Sequence, residues 1–110
     1  MKVNEYLAQH CKINEVFPGL YFRELAPSVV CKDGFEMSVQ VGRTHYCSPR
    51  VDKAIYSAVE IGFPSEKEDL LMPFAEDEEA PTETVYGYVP VDIVNQVIQK
   101  HGGFAIAEAA

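Results

Sequence analysis

The chain has 110 residues, 47% of them apolar, and a formal charge of −8. That length suits one domain that buries about two-thirds of its unfolded surface, so folding requires neither a metal nor a disulfide. The acidity argues against sequence-independent binding to a nucleic-acid backbone, which needs a basic face, and no run approaches the ~20 apolar residues of a membrane span.

The opening Met1-Lys2-Val3-Asn4-Glu5-Tyr6 lacks the apolar run of a secretory signal, so a cytoplasmic location is expected. Cys11, Cys31 and Cys47 are odd in number and read as free thiols. Between Glu66 and Glu83 stand eight carboxylates against Lys67 alone, which is −7 of the total −8. Such a concentrated segment reads either as a solvated loop or as a contact site.

In chain order, residues 4–11 predict a helix, with Asn4 as N-cap and Val3, Tyr6, Leu7 and Cys11 on one face. Pro18-Gly19 marks a turn, and 20–25 reads as a strand in preference to a short helix. Residues 28–31 lead through Lys32-Asp33-Gly34 into 35–41. There Phe35, Met37, Val39 and Val41 share one face, and Glu36, Ser38 and Gln40 the other. Strict alternation after Asp-Gly predicts a half-buried strand of a hairpin.

A polar connection follows from Arg43 to Lys53. A further strand is expected at about 55–63, with Ile55, Val59, Ile61 and Phe63 on one side. Within the acidic stretch, Leu70-Leu71-Met72-Pro73-Phe74 should pack back on the body, leaving 75–83 as a mobile acidic loop. Residues 84–89 predict a last strand. Residues 90–101 predict a helix with Pro90 at its start, Asp92 and Lys100-His101 suiting the dipole, and a stripe of Val91, Val94, Val97 and Ile98, with Ile93 at its margin. Gly102 fits the position after the helix, and 104–110 reads as a frayed or lightly docked tail. The order implies an α+β fold in one domain with its core in 36–103: a small antiparallel sheet, a C-terminal helix packed on one face, and a short N-terminal helix.

Residues 42–50 gather Arg43, His45, Tyr46, Cys47 and Arg50. Three readings compete. Cys47 and His45 could act as nucleophile and base. His45 and Cys47 could form half of a zinc site with Cys11, Cys31, His10 or His101. The preferred reading makes Cys47 a small buried hydrophobe, with Tyr46 packed nearby and the arginines solvated or paired. Tyr86-Gly87-Tyr88 reads as a strand pair rather than a ligand platform, and His101 as a helix cap rather than a ligand. The basic stretch 43–53 complements 66–83, within one molecule or between copies. No phosphate loop, H-E-x-x-H or Gly-x-Ser-x-Gly motif is present, and no cofactor is expected.

The runs Met37-Ser38-Val39-Gln40-Val41, His45-Tyr46-Cys47-Ser48-Pro49-Arg50, Val59-Glu60-Ile61-Gly62-Phe63-Pro64-Ser65 and Val85-Tyr86-Gly87-Tyr88-Val89-Pro90-Val91, closing in His101-Gly102-Gly103, resemble small uncharacterised proteins encoded in phage and prophage genomes. The resemblance covers about residues 37–103. It implies a genomic setting and, because such proteins are often non-enzymatic, action in the host cytoplasm by binding a host or phage protein. The expected function is therefore a non-enzymatic accessory protein that binds a protein partner with a basic surface, with Glu76, Asp77, Glu78, Glu79, Arg43, His45 and Arg50 as candidate contacts. The alternatives are an acidic nucleic-acid mimic that occupies the groove of a nucleic-acid-binding protein, a small Cys/His enzyme or metal protein, and a self-assembling homo-oligomer. Direct nucleic-acid and membrane partners are not expected.

Overall fold

The computed structural model describes residues 1–105. In chain order these form α1 (Val3–Gln9), β1 (Ile13–Phe17), β2 (Leu20–Arg23), β3 (Val29–Val30), β4 (Glu36–Gln40), β5 (Ala58–Gly62), a 3₁₀ turn (Met72–Phe74), β6 (Val85–Pro90) and α2 (Val91–Lys100). Strands β3, β4, β5 and β6 build one antiparallel sheet in that spatial order, and β1 and β2 form a separate antiparallel pair. The fold is α+β, as the order of elements implies. The separate pair is an addition, since β1 was not predicted.

The alternation of β4 holds. Phe35, Met37, Val39 and Val41 are buried and share one core with Val59, Ile61 and the α2 residues Val94, Val97 and Ile98. On the opposite face Glu36 is exposed, but Gln40 is buried. Its carboxamide exchanges hydrogen bonds of 2.9 Å with both the N–H and the carbonyl of Ala26, so the chain before β3 partly covers the back of the sheet. The core also takes Val3, Tyr6 and Leu7 from α1 and Phe104 from beyond α2, which extends it past the expected limits of 36–103. Residues 106–110 of the expected tail lie outside the described residues.

Two expectations fail at element ends. Helix α1 starts after Lys2, not Asn4. Asn4 sits inside the helix, where its carboxamide bonds both the N–H and the carbonyl of Tyr56 at 2.9 Å and ties α1 to the chain before β5. Strand β5 is shorter than expected, so Ile55 and Phe63 are not inside: they are 87% and 61% exposed. Before Ala58 the chain is held by Ser48 through a Ser57 N–H to Ser48 carbonyl bond of 2.9 Å. After Gly62 it leaves the ladder at Phe63, whose φ is +47°.

Helix α2 ends on a glycine motif that satisfies its last carbonyls. Gly102 (φ +93°) donates to Gln99 at 3.1 Å and Gly103 to Ile98 at 2.8 Å. The chain then runs beside β3, with a Cys31–Phe104 bridge and the Ala105 N–H on the Val30 carbonyl at 2.8 Å.

His101, at the same helix end, is buried and stacks on Phe35 with ring centroids 4.1 Å apart. Its Nδ1 lies 2.5 Å from Asp33 Oδ2 and its Nε2 2.7 Å from Glu68 Oε1. Lys100 Nζ completes the cluster, 3.0 Å from Glu68. Only the doubly protonated ring donates to both carboxylates. Glu68 is thus the exception in the acidic stretch: it is buried, and with Leu71 it holds the segment to the body.

Burial opposes the charge on His101, but the hydrogen bonds from Glu68 and Asp33 and their negative charges outweigh it and raise the pKa above the ordinary 6.5. Burial likewise opposes the Glu68 carboxylate, but the Leu70 N–H, Lys100 and His101 lower its pKa below 4.5. The folded state therefore holds the His101 proton more tightly than the unfolded chain. That stabilisation is complete below pH 6.5 and is lost as pH rises through the raised value. The Glu68 contribution has the opposite sense: it is complete above pH 4.5 and is lost as pH falls through the lowered value. Urea midpoints measured across pH should peak between 4.5 and 6.5 and decline on the alkaline side. His101→Gln should lose roughly 3 kcal/mol, because Glu68 stays buried with a partner removed, and should flatten the alkaline decline. A wild-type midpoint that stays level above pH 6.5 would contradict this assignment.

Candidate functional site

The connection between β4 and β5 separates the two groups that an enzyme or metal reading would join. The thiol of Cys47 is fully buried, with Sγ 3.3 Å from the Gly42 nitrogen, 3.2 Å from the Gly42 carbonyl and 3.4 Å from the Pro49 carbonyl. Burial pushes its pKa up, against the Gly42 hydrogen bond and the charge of Arg50. His45 turns instead to β5, where Nδ1 lies 2.9 Å from Glu60 Oε1, and the other oxygen of Glu60 accepts the Tyr46 N–H at 3.1 Å. Among the described residues no group of three or more His, Cys, Asp or Glu side chains is placed to hold a metal ion.

The two arginines of the connection lie together. Arg50 donates to the Arg43 carbonyl at 3.3 Å, and its guanidinium sits 5.8 Å above the Tyr46 ring. Arg43 pairs with Asp52 at 3.5 Å and also donates to the Tyr21 carbonyl of β2. Tyr46 is half-exposed beside Tyr88, with ring centroids 5.9 Å apart, and its carbonyl accepts the Tyr88 N–H at 3.0 Å. Tyr88 has φ +51° at a bulge where β6 carries one residue more than β5. The chain at Gly87 runs close to Tyr46, where an added Cβ would sit at van der Waals contact, 3.4 Å from Tyr46 Cβ.

The acidic contacts lie elsewhere along the same strand. Ala75 bridges Tyr86, the Glu76 N–H donates to the Val85 carbonyl at 3.0 Å, and the Asp77 N–H to Thr84 Oγ1 at 3.1 Å. Tyr86 hydroxyl donates to the Pro81 carbonyl. Glu76, Asp77, Glu78 and Glu79 are all exposed on this return loop. The outer edge of β6 is therefore covered twice, by Ala75–Glu76 near Val85 and by Tyr46 at Tyr88, which removes an open strand edge. Among the described residues, Arg43 pairs with Asp52 and His45 bonds Glu60, and neither reaches the acidic loop.

Exposed apolar side chains gather on the β1–β2 ribbon. No residue of β1 or β2 is buried. Ile13, Val16, Phe17, Leu20, Tyr21 and Phe22 are 40% to 64% exposed, and Leu25, just beyond, is 70% exposed. Pro18-Gly19 makes the turn with Gly19 at φ +86°, as a type II turn requires. Paired residues share a face, so Ile13, Glu15, Tyr21 and Arg23 lie on one side and Asn14, Phe17, Leu20 and Phe22 on the other. Both faces of the ribbon therefore present aromatic and aliphatic groups to solvent. The signal was in the sequence: Val16-Phe17-Pro18-Gly19-Leu20-Tyr21-Phe22 is apolar without alternation, so no register buries one face and hydrates the other.

The ribbon is anchored at its base. Arg23 donates to the Leu7 carbonyl at 3.0 Å, the Asp52 carbonyl at 2.9 Å and Cys11 Sγ at 2.8 Å. The Glu24 N–H donates to the Lys12 carbonyl at 2.7 Å.

No protein-family model, curated protein or solved structure matches the chain. Among the described residues no helix is long and apolar enough to cross a membrane.

The three thiols differ in access. Cys47 and Cys31 are buried, and burial with the nearby charge of Asp33 pushes Cys31 up to about 11, whereas Cys11 is partly exposed. Titration of the native protein with an aromatic disulfide reagent should modify Cys11 alone, and the other two only after denaturation. Rapid loss of the Cys47 thiol in the native state would restore the case for a reactive site there.

Proposed function

We propose that this chain is a non-enzymatic protein-binding module whose contact surface is the β1–β2 ribbon. One observation carries the reading: a two-stranded ribbon with apolar side chains on both faces and none of its residues buried. Isolated two-stranded ribbons are marginal in water, and contiguous exposed apolar surface marks interaction sites. Covering one large apolar side chain of this kind completely gains about 1.5–3 kcal/mol, so Phe17, Leu20 and Phe22 on a single face form an adequate anchor. The resemblance to phage-encoded proteins fits a host or phage protein as the partner. The role first expected of the acidic loop passes to the ribbon, because Glu76 to Glu79 offer exposed charge while the ribbon offers exposed aromatic and aliphatic side chains.

A photo-crosslinking residue in place of Leu20, on the same face as Phe17 and Phe22, should trap a discrete partner in extracts of the source cells. Phe17→Ser with Phe22→Ser should abolish that product while circular dichroism and the urea midpoint stay close to wild type. Neutralising Glu76, Asp77, Glu78 and Glu79 to Gln or Asn should leave it. The reverse pattern would move the contact site to the acidic loop. A product containing only this chain, with a doubled mass in solution that Phe17→Ser removes, would replace the heterologous partner by a homodimer.

A further inference from the structure

We infer that the groove at the base of the ribbon is a binding site for a small amphipathic carboxylate, separate from the protein-binding role of the ribbon tip. The groove has a volume of about 320 Å³ and lies between α1, the end of β2 and the chain before β5. Its walls include Leu7, Ala54, Ile55 and Tyr56, and its charged lining groups are Arg23 and Lys53. No carboxylate lines it, in a chain whose net charge is −8. Ligand pockets run from about 300 to 1,000 Å³, and a few polar groups set against apolar walls are their usual form. This volume stands at the small end and suits a short apolar chain with one charged head.

Arg23 supplies the chemical selectivity. Its guanidinium is half-buried and donates to two backbone carbonyls and the Cys11 sulfur, all without formal charge on the carbonyls or on the thiol form. Among the described residues no carboxylate stands within ion-pair distance of it. Asp52, whose backbone carbonyl it bonds, gives its carboxylate to Arg43 instead. These bonds occupy three of the five guanidinium donors, and the planar fork is suited to a carboxylate. Lys53 adds a second positive charge on the same groove. Ile55, 87% exposed, supplies an apolar wall that the protein itself leaves uncovered.

The test is a titration of isotope-labelled protein, followed by amide chemical shifts, with octanoate below its micelle concentration, with octan-1-ol and with acetate. Octanoate should give saturable shifts at Leu7 to Cys11, Arg23 and Ala54 to Tyr56. It should bind at least about tenfold more tightly than either control, one of which lacks the charge and the other the chain. Arg23→Gln risks the fold because Arg23 anchors the ribbon, so the deciding variants are exposed. Lys53→Gln should weaken octanoate several-fold and leave octan-1-ol unchanged, and Ile55→Asp should weaken both. Equal binding of octanoate and octan-1-ol would overturn the proposal. So would shifts centred on Phe17 to Phe22, no saturable shifts at all, or indifference of octanoate binding to both variants.

Discussion

One buried imidazolium joins three separate parts of the chain. His101 stands at the end of α2, Asp33 in the turn between β3 and β4, and Glu68 at the start of the return that leads to β6. Burying such charges is costly, and a buried ion pair adds little stability compared with apolar packing of the same volume. Its effect is specificity: an imidazolium with both N–H groups committed accepts one arrangement of its two carboxylates, and a vacancy on either side leaves a charge without a partner. The Phe35 ring stacked on it closes the site from β4, so the helix end, the hairpin turn and the acidic segment are located by the same small cluster.

The parts of the fold that were legible in the sequence are those whose pattern is local. Alternation in β4 and the stripe of α2 each report a face, and each face is buried as its period implies. Glu68 could not be read this way. It is one carboxylate among eight in its stretch, and what separates it from Glu66 or Asp69 is a histidine 33 positions later in the chain. Ile55 and Phe63 mislead for a related reason. Their parity continues that of Val59 and Ile61, but parity has meaning only while the ladder lasts, and β5 covers only Ala58–Gly62.

The candidate site was legible in its composition and not in its geometry. Nearness in sequence made His45 and Cys47 a pair, as they would be on one face of a continuing strand. The chain turns instead, and each group finds a separate partner in Glu60 or in the backbone of Gly42. Half of the ribbon was legible, as the turn at Pro18-Gly19 and the strand at 20–25, and β1 was not. Ile13-Asn14-Glu15-Val16-Phe17 carries no alternation, because all five residues of β1 are exposed and no face of it is buried.

The acidic loop and the ribbon can be understood together. An exposed apolar ribbon favours association between copies, and net charge away from zero opposes it. The stretch 66–83 holds −7 of the net −8, and the fold withdraws Glu68 from it while leaving Glu76 to Glu79 in solvent. On the reading proposed for the ribbon, that loop needs no partner of its own, because repulsion between like-charged copies is a sufficient role for it. Repulsion of this kind is screened by salt over a Debye length of about 8–10 Å, whereas apolar contact at the ribbon is not. Ionic strength therefore acts on the two surfaces in different ways: it weakens what keeps copies apart and leaves intact what holds a partner. Net charge, a sum over the whole chain, cannot express that separation. It follows from the fold, which ties the acidic return to β6 and leaves the ribbon outside the core.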